Sequence, residues 1–297
     1  MVTVVITTYK RKLDIVERAI RSVVAQTYRD WELIVVDDSP EDYEYRLEIK
    51  KMVNRYANDY QVVYHANPKS SGACFSRNVG LEMARGEFIA YLDDDDEWVP
   101  SKLERQTEAM NNADGHVALV YCPYYSIDEE TGQKKAVKKP MRSGMLYEYL
   151  LEVGNIFGGM SMPLMRTACV KDVGGFDILM QSAQDMDLWL RLAKKYPVIY
   201  LDEPLVNYYI HGGDQISTNP YKRIAGLTRL NEKNRDYLET HKKAKWKREM
   251  GLIRFYLLAE NNEKAFIKWK ETACIWPGNI LGNMKMLLTI LLFRFRS

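Results

Sequence analysis

The feature that most constrains this fold is a rhythm in the first part of the chain. Short β-branched or apolar runs, each closed by polar residues, alternate with stretches of helical spacing. Val2–Thr8 reads as a buried strand. Leu13–Val24 follows with Ile15, Ala19, Ile20, Val23 and Val24 spaced for one helix face. Glu32–Val36, Gln61–His65 and Phe88–Leu92 read as further strands. Helical spacing separates them at 43–56 and 73–84, the latter closing near Gly86. Strands joined through helices of this length imply right-handed crossovers and a mostly parallel α/β sheet.

Beyond about residue 120 the alternation loosens. Val117–Tyr125 and Ala136–Val137 flank Asp128-Glu129-Glu130-Thr131-Gly132, a hairpin turn by composition. Ser161–Met165, Val198–Leu201 and Leu205–Ile210 read as strands and Gln184–Lys195 as a helix. From Tyr221 onward the chain is helical and basic. The expected division is a catalytic domain over 1–220, with halves of 1–115 and 116–220, and a helical extension over 221–297.

In an open parallel sheet, ligands sit beyond the carboxyl ends of the strands. Three of the first four strands end in Thr7-Thr8-Tyr9, Asp37-Asp38 and Asp93-Asp94-Asp95-Asp96. Four consecutive carboxylates repel one another, and their hard oxygens suit Mg²⁺ or Mn²⁺ bound through one or two side chains plus phosphate oxygens. The plainer alternative is a solvated acidic loop or a calcium site; an apolar strand before the run and Trp98 after it favour the metal-binding reading. Asp37-Asp38 suits a base or ribose contact, or else an Asx turn. Tyr9 offers a stacking face, or packing. Asp185, at a helix start, is either a cap or a general base that deprotonates an attacking hydroxyl. Asp187, two residues on, points elsewhere on the helix and reads as structural.

Composition excludes several classes. Across 297 residues, 46% apolar and 28% charged side chains exclude wholesale disorder, and 42 Lys+Arg against 40 Asp+Glu (net +2) argue against a general nucleic-acid binder. Cys74, Cys122, Cys169 and Cys274 stand singly, so neither a zinc cluster nor a disulfide framework is expected, and a reducing compartment fits. The first residues lack the pattern of a signal peptide, so a cytoplasmic location is expected. The net charge conceals a split: 25 basic and 33 acidic residues before position 222, against 17 and 7 from 222 onward.

Several stretches together resemble the ordered motifs of family 2 glycosyltransferases. They are Val4-Val5-Ile6-Thr7-Thr8-Tyr9, Val35-Val36-Asp37-Asp38-Ser39, Gly72 through Asn78, Gly86 through Trp98, Gly174-Gly175-Phe176-Asp177 and Gln184-Asp185-Met186-Asp187-Leu188-Trp189-Leu190-Arg191. The match runs from Val2 to about Ser217. The resemblance implies a GT-A fold, a Rossmann-like mostly parallel sheet flanked by helices. It implies inverting transfer of a sugar from a nucleotide diphosphate sugar, UDP favoured, to a hydroxyl of a glycan or lipid-linked glycan, assisted by Mn²⁺ or Mg²⁺. Residue by residue, Thr7, Tyr9, Asp38, Arg77 and Asp94 match nucleotide-side positions, and Asp93 and Asp95 match the outer residues of the metal-binding DxD motif. Asp185 matches the catalytic base, and His211 falls where relatives carry a His or Arg near metal and phosphate. Lys10 replaces a frequent Asn, and Gln184 replaces the usual acid before the base. Two other readings of the same residues are a catalytically silent nucleotide-sugar scaffold and another metal-dependent nucleotide enzyme.

The tail carries the basic cluster Lys242-Lys243-Ala244-Lys245-Trp246-Lys247-Arg248, a helix pair turning at Asn261-Asn262, and the apolar stretch Ile280–Phe293. That stretch is too short to cross a bilayer, which takes about 20 residues. It fits a peripheral contact with an anionic membrane at the cytoplasmic face, or packing against protein.

Overall fold

The computed structural model of the chain describes residues 1–138, 140–210 and 219–294. Its strands are β1 (Val2–Thr8), β2 (Trp31–Asp37), β3 (Val62–Ala66), β4 (Phe88–Asp93), β5 (Glu97–Trp98), β6 (Leu119–Tyr121), β7 (Tyr124–Asp128), β8 (Lys134–Val137), β9 (Leu164–Arg166), β10 (Val198–Tyr200) and β11 (Val206–Ile210). The large sheet runs β10-β6-β9-β4-β1-β2-β3, and a smaller one runs β5-β11-β7-β8. The large sheet is parallel except for β9, which lies antiparallel between β4 and β6.

The alternation read from the sequence is the architecture of the first four strands. β1 pairs with β2 and β4 in parallel, through Thr8↔Asp37 and Thr7↔Asp93. Three strand ends therefore open at one level. All seven residues of β2 are buried, as expected of a central strand covered on both faces. Helix Leu13–Val24 buries Val16, Ala19, Ile20 and Val23 against that core.

At the opposite end of these strands, Glu32 is buried with its partners supplied. Its carboxylate accepts from Thr3 Oγ1 (2.7 Å), the Arg85 amide (2.9 Å) and Arg85 Nε (2.7 Å). Gly86 closes the same corner: a Cβ there would lie 2.5 Å from the Thr3 amide nitrogen, so the approach requires glycine.

The later half departs from the sequence expectation for physical reasons. Val117–Tyr125 is not one strand, because Pro123 supplies no N–H; the chain leaves the large sheet after β6 and enters the small one as β7. Pro163 likewise delays the strand expected over Ser161–Met165 to Leu164.

The chain forms two compact units. The first comprises Met1–Tyr147, Asn155–Ile178 and Leu188–Gly212 and contains both sheets; the second comprises Glu148–Gly154, Leu179–Asp187 and Gly213–Ser297. The second unit is helical, with helices Pro220–Lys233, Arg235–Thr240, Lys242–Leu258, Asn262–Ile275 and Ile280–Arg294. Met250, Ile253, Leu257, Ala265, Met286 and Ile290 form its small core. Asn283 pins that core, accepting from Trp246 Nε1 (2.8 Å) through its side chain and from Trp269 Nε1 (2.9 Å) through its backbone.

Candidate active site

The site in the first unit is built from loops beyond β1, β2 and β4. Asp38 stands 4% exposed. Its carboxylate accepts from Asn67 Nδ2 (2.7 Å), the Ser71 amide (2.9 Å) and the Gly72 amide (2.8 Å). Its own amide donates to the Thr8 carbonyl (2.9 Å), tying the two strand ends together. Asp37 is spent on structure: its oxygens accept from the Ser39 amide (2.9 Å) and the Tyr64 hydroxyl (2.8 Å). Tyr9 is half exposed just past β1, followed by Lys10 in the left-handed region (φ 47°) with its amide on Ser39 Oγ. That turn presents the Tyr9 ring to solvent beside the Asp38 loop.

The acidic run sorts itself by alternation. The side chains of Asp93 and Asp95 keep 32% and 20% of their surface exposed, while Asp94 keeps 7%. Asp96 is buried, and Ser161 Oγ donates to its Oδ2 (2.5 Å) while accepting from the Asp93 amide (3.1 Å). Trp98 Nε1 donates to the Ser161 carbonyl (2.9 Å), so Ser161 buttresses both ends of the run.

Three arginines reach the run. Arg77, from the helix Ala73–Met83, donates to Asp93 Oδ1 (2.9 Å). Arg11 reaches both Asp94 Oδ1 (3.0 Å from Nε) and Asp95 Oδ2 (3.0 Å from Nη2). Arg18 donates to the Asp95 carbonyl (2.8 Å) and lies 3.7 Å over the Tyr209 ring. The run is nonetheless crowded. Burial, opposed by Arg11 and reinforced by Asp95, pushes Asp94 up to about 6. Burial also raises Asp93 against the pull of Arg77, and burial with Asp93 and Asp95 raises Asp96 well above the usual carboxylate range.

Two of the quoted motifs meet beside Arg77. Asn78 accepts from the Phe176 amide (2.8 Å) and donates to its carbonyl (2.8 Å). Tyr91 packs edge-on against Phe176 at 5.2 Å.

Asp185 belongs to the second unit, in the first turn of helix Gln184–Lys195. It is partly exposed, and its Oδ1 accepts from the Met186 amide (2.8 Å). Asp187 is 1% exposed and paired with Lys233 at 2.5 Å, in keeping with its structural reading.

The first unit thus gathers Thr7, Tyr9, Asp38, Arg77, Asp93, Asp94 and Asp95 around the ends of adjacent strands, while Asp185 lies in the second unit. His211 lies outside the described residues. Sequence reasoning missed Arg11, Arg18, Asn67 and Ser161. Arg11 carried a faint signal, a cation two residues after Tyr9; Ser161 carried none, being far from the run it supports.

Among the described residues, no three or more His, Cys, Asp or Glu side chains are grouped so as to hold a metal by themselves.

A sequence model of glycosyl transferase family 2 matches residues 3–172. An Escherichia coli K12 protein named "Putative colanic acid biosynthesis glycosyl transferase WcaA" is 28% identical over 242 residues, which cover 80% of this chain and 82% of that protein. A longer uncharacterized glycosyltransferase of Rickettsia conorii is 27% identical over 230 residues, 77% of this chain but 36% of its own length. Among solved structures, residues 1–349 of Staphylococcus aureus TarS in complex with UDP-GlcNAc superpose with a TM-score of 0.61 at 19% identity, covering 86% of this chain and 71% of that one.

Proposed function

The chain belongs to glycosyl transferase family 2, and on that premise we propose that it moves a sugar, with inversion, from a UDP-sugar to a hydroxyl of a glycan or lipid-linked glycan. The GT-A architecture and the glycosyltransferase names of its relatives agree with this reading. UDP is favoured because the TarS fold match is to complexes with UDP-GlcNAc and UDP. A polysaccharide acceptor is favoured by the name of the Escherichia coli relative.

The observation that carries the reading is the alternation in the acidic run. Asp93 stays open beside Arg77 and Asp95 beside Arg11, while Asp94 and Asp96 are buried. An all-oxygen donor set at a strand mouth fits Mn²⁺ or Mg²⁺, and the raised carboxyls of the run are those a dication would keep ionised. Asp93 and Asp95 would hold the ion, with phosphate oxygens completing its shell; when bound, it offsets charge on the leaving diphosphate. Arg77 and Arg11, now on the carboxylates, lie within reach of the same negative charge. Tyr9 stacks on the base, with Thr7, Asp38 and Asp94 on the nucleotide side. Asp185 takes the acceptor proton as the hydroxyl oxygen attacks the anomeric carbon, and the bond to the diphosphate breaks on the opposite face. One displacement with one base inverts the centre.

The test is Asp185→Asn. UDP release from a panel of UDP-sugars with Mn²⁺ should fall by about 10³-fold, with UDP affinity retained. A scaffold, or a nucleotide enzyme that works through the acidic run alone, would be indifferent to this change.

Peripheral membrane contact has separate support. Among the described residues no helix is long and apolar enough to cross a membrane. Helix Ile280–Arg294 instead exposes Ile280, Leu281, Met284, Leu288, Leu291 and Leu292. These fall within an arc of about 120° at 100° per residue, in a unit rich in lysine. Leu281→Glu with Leu288→Glu should abolish sedimentation with phosphatidylglycerol vesicles and leave UDP release unchanged. Equal sedimentation of mutant and parent would reject the contact.

A further inference from the structure

The segment that carries Asp185 is held in place by residues far later in the chain, all within the second unit. Ser182, 1% exposed, donates through Oγ to the Lys222 carbonyl (3.0 Å). Gly226 comes so close that a Cβ there would lie 2.5 Å from both the backbone oxygen and Oγ of Ser182. Lys233 Nζ lies 2.5 Å from Asp187 Oδ1. Positions 222, 226 and 233 share one stripe of helix Pro220–Lys233, within about 40° of one another at 100° per residue. That stripe runs along residues 182–187.

Between the contacts, Ala183 sits in the left-handed region (φ 54°), a conformation that an L residue keeps only when its surroundings impose it. Its carbonyl accepts from the Asp187 amide (3.0 Å), so the strained residue closes the turn that contains Asp185. The buried Asp187 carboxylate is paired with Lys233 two residues from Asp185.

We propose that helix Pro220–Lys233 is the positioning element of the general base, with Lys233 acting through Asp187 and Gly226 through Ser182. The proposal rests on the reading of Asp185 as base. It makes the second unit part of the catalytic apparatus: misplacing a reacting group by about 1 Å costs on the order of 10²-fold.

The experiment compares full-length Lys233→Met, Lys233→Arg, Gly226→Ala and Asp185→Asn. Three readouts are taken: UDP release from the best UDP-sugar of a panel with Mn²⁺, UDP affinity by calorimetry, and amide hydrogen exchange over residues 182–187. Lys233→Met should lower kcat by about tenfold or more, hold UDP affinity and donor KM within about twofold, and speed exchange by about tenfold. Lys233→Arg, which keeps the charge, should recover most of kcat, and Gly226→Ala should behave as Lys233→Met does. The proposal is overturned by a Lys233→Met enzyme with normal kcat, or by UDP affinity falling in step with kcat, the mark of general destabilisation. Asp185→Asn separates the two failures. If it turns over normally, the base assignment goes and the proposal with it. If it is inactive beside a normal Lys233→Met, the positioning role alone is lost.

Discussion

The Asp-x-Asp pairs 93/95 and 185/187 are built in opposite ways. Asp93 ends β4, and Asp95 lies in the turn that follows, closed by the Asp96 amide on the Asp93 carbonyl (3.0 Å); both side chains stay partly exposed while Asp94 between them is buried. Asp185 and Asp187 open a helix, where residues two apart diverge by about 200°. Asp185 keeps contact with solvent, and Asp187 is buried on Lys233. The same spacing therefore delivers two solvent-accessible carboxylates in one place and one in the other.

The strand-end half is tested first. Asp93→Asn and Asp95→Asn should each reduce Mn²⁺-dependent UDP release by about 10²- to 10³-fold and remove the rise in melting temperature on adding Mn²⁺. Asp94→Asn should leave most of that thermal rise intact. A protein in which Asp94→Asn abolishes the Mn²⁺ effect while Asp93→Asn preserves it would break the alternation argument and reassign the ligand.

The pairs also differ in how their charges are compensated, and two buried charges elsewhere sharpen the point. Burial works against the ionised Glu32, but bonds from Thr3 and from the Arg85 amide and guanidinium outweigh it and hold its carboxyl below the ordinary range. Lys102, fully buried, has Gln106 Oε1 at 2.6 Å and the Trp98 ring at 4.1 Å and, among the described residues, no carboxylate partner. Burial pushes it down to about 8. A lysine whose folded pKa lies below its unfolded value binds fewer protons when folded, so stability should rise with pH from about 8 to about 10. Lys102→Met should remove that rise and stabilise the protein at pH 7 by about 1–3 kcal/mol, read from urea unfolding at several pH values. An unaltered pH dependence would show that the Gln106 and Trp98 contacts suffice for the charge.

The strand-end half was legible in the sequence because its chemistry is contiguous with the elements that carry it. β1, β2 and β4 read directly from apolar runs, and their polar ends form the candidate site. Helix Lys102–Asn112 was invisible because it buries Lys102, Gln106 and Thr107 beside only two large apolar residues, Leu103 and Met110, which blurs the helical pattern. Ser161 and Arg11 were illegible as partners of the acidic run because only tertiary structure brings them to it. The support of Asp185 was hidden for the same reason: Gly226 and Lys233 look like ordinary residues of a basic helix until Ser182 and Asp187 are placed against them.

The smallest expected effect probes that support. An alanine at φ 54° costs about 1 kcal/mol relative to glycine in the same conformation, and glycine gives back part of that gain through its freer unfolded chain. Ala183→Gly should therefore stabilise the protein by about 0.5 kcal/mol, and Ala183→Val, whose β-branch tolerates this region poorly, should destabilise it by more. Turnover is the sharper readout. If the stripe at 222, 226 and 233 holds the segment, Ala183→Gly keeps kcat within about twofold, because the contacts at Ser182 and Asp187 survive a freer backbone between them. If strain at Ala183 is what presents Asp185, kcat falls while the melting temperature rises. That split would move the positioning role from helix Pro220–Lys233 to the backbone, and the two carboxylate pairs would then differ in backbone geometry rather than in their partners.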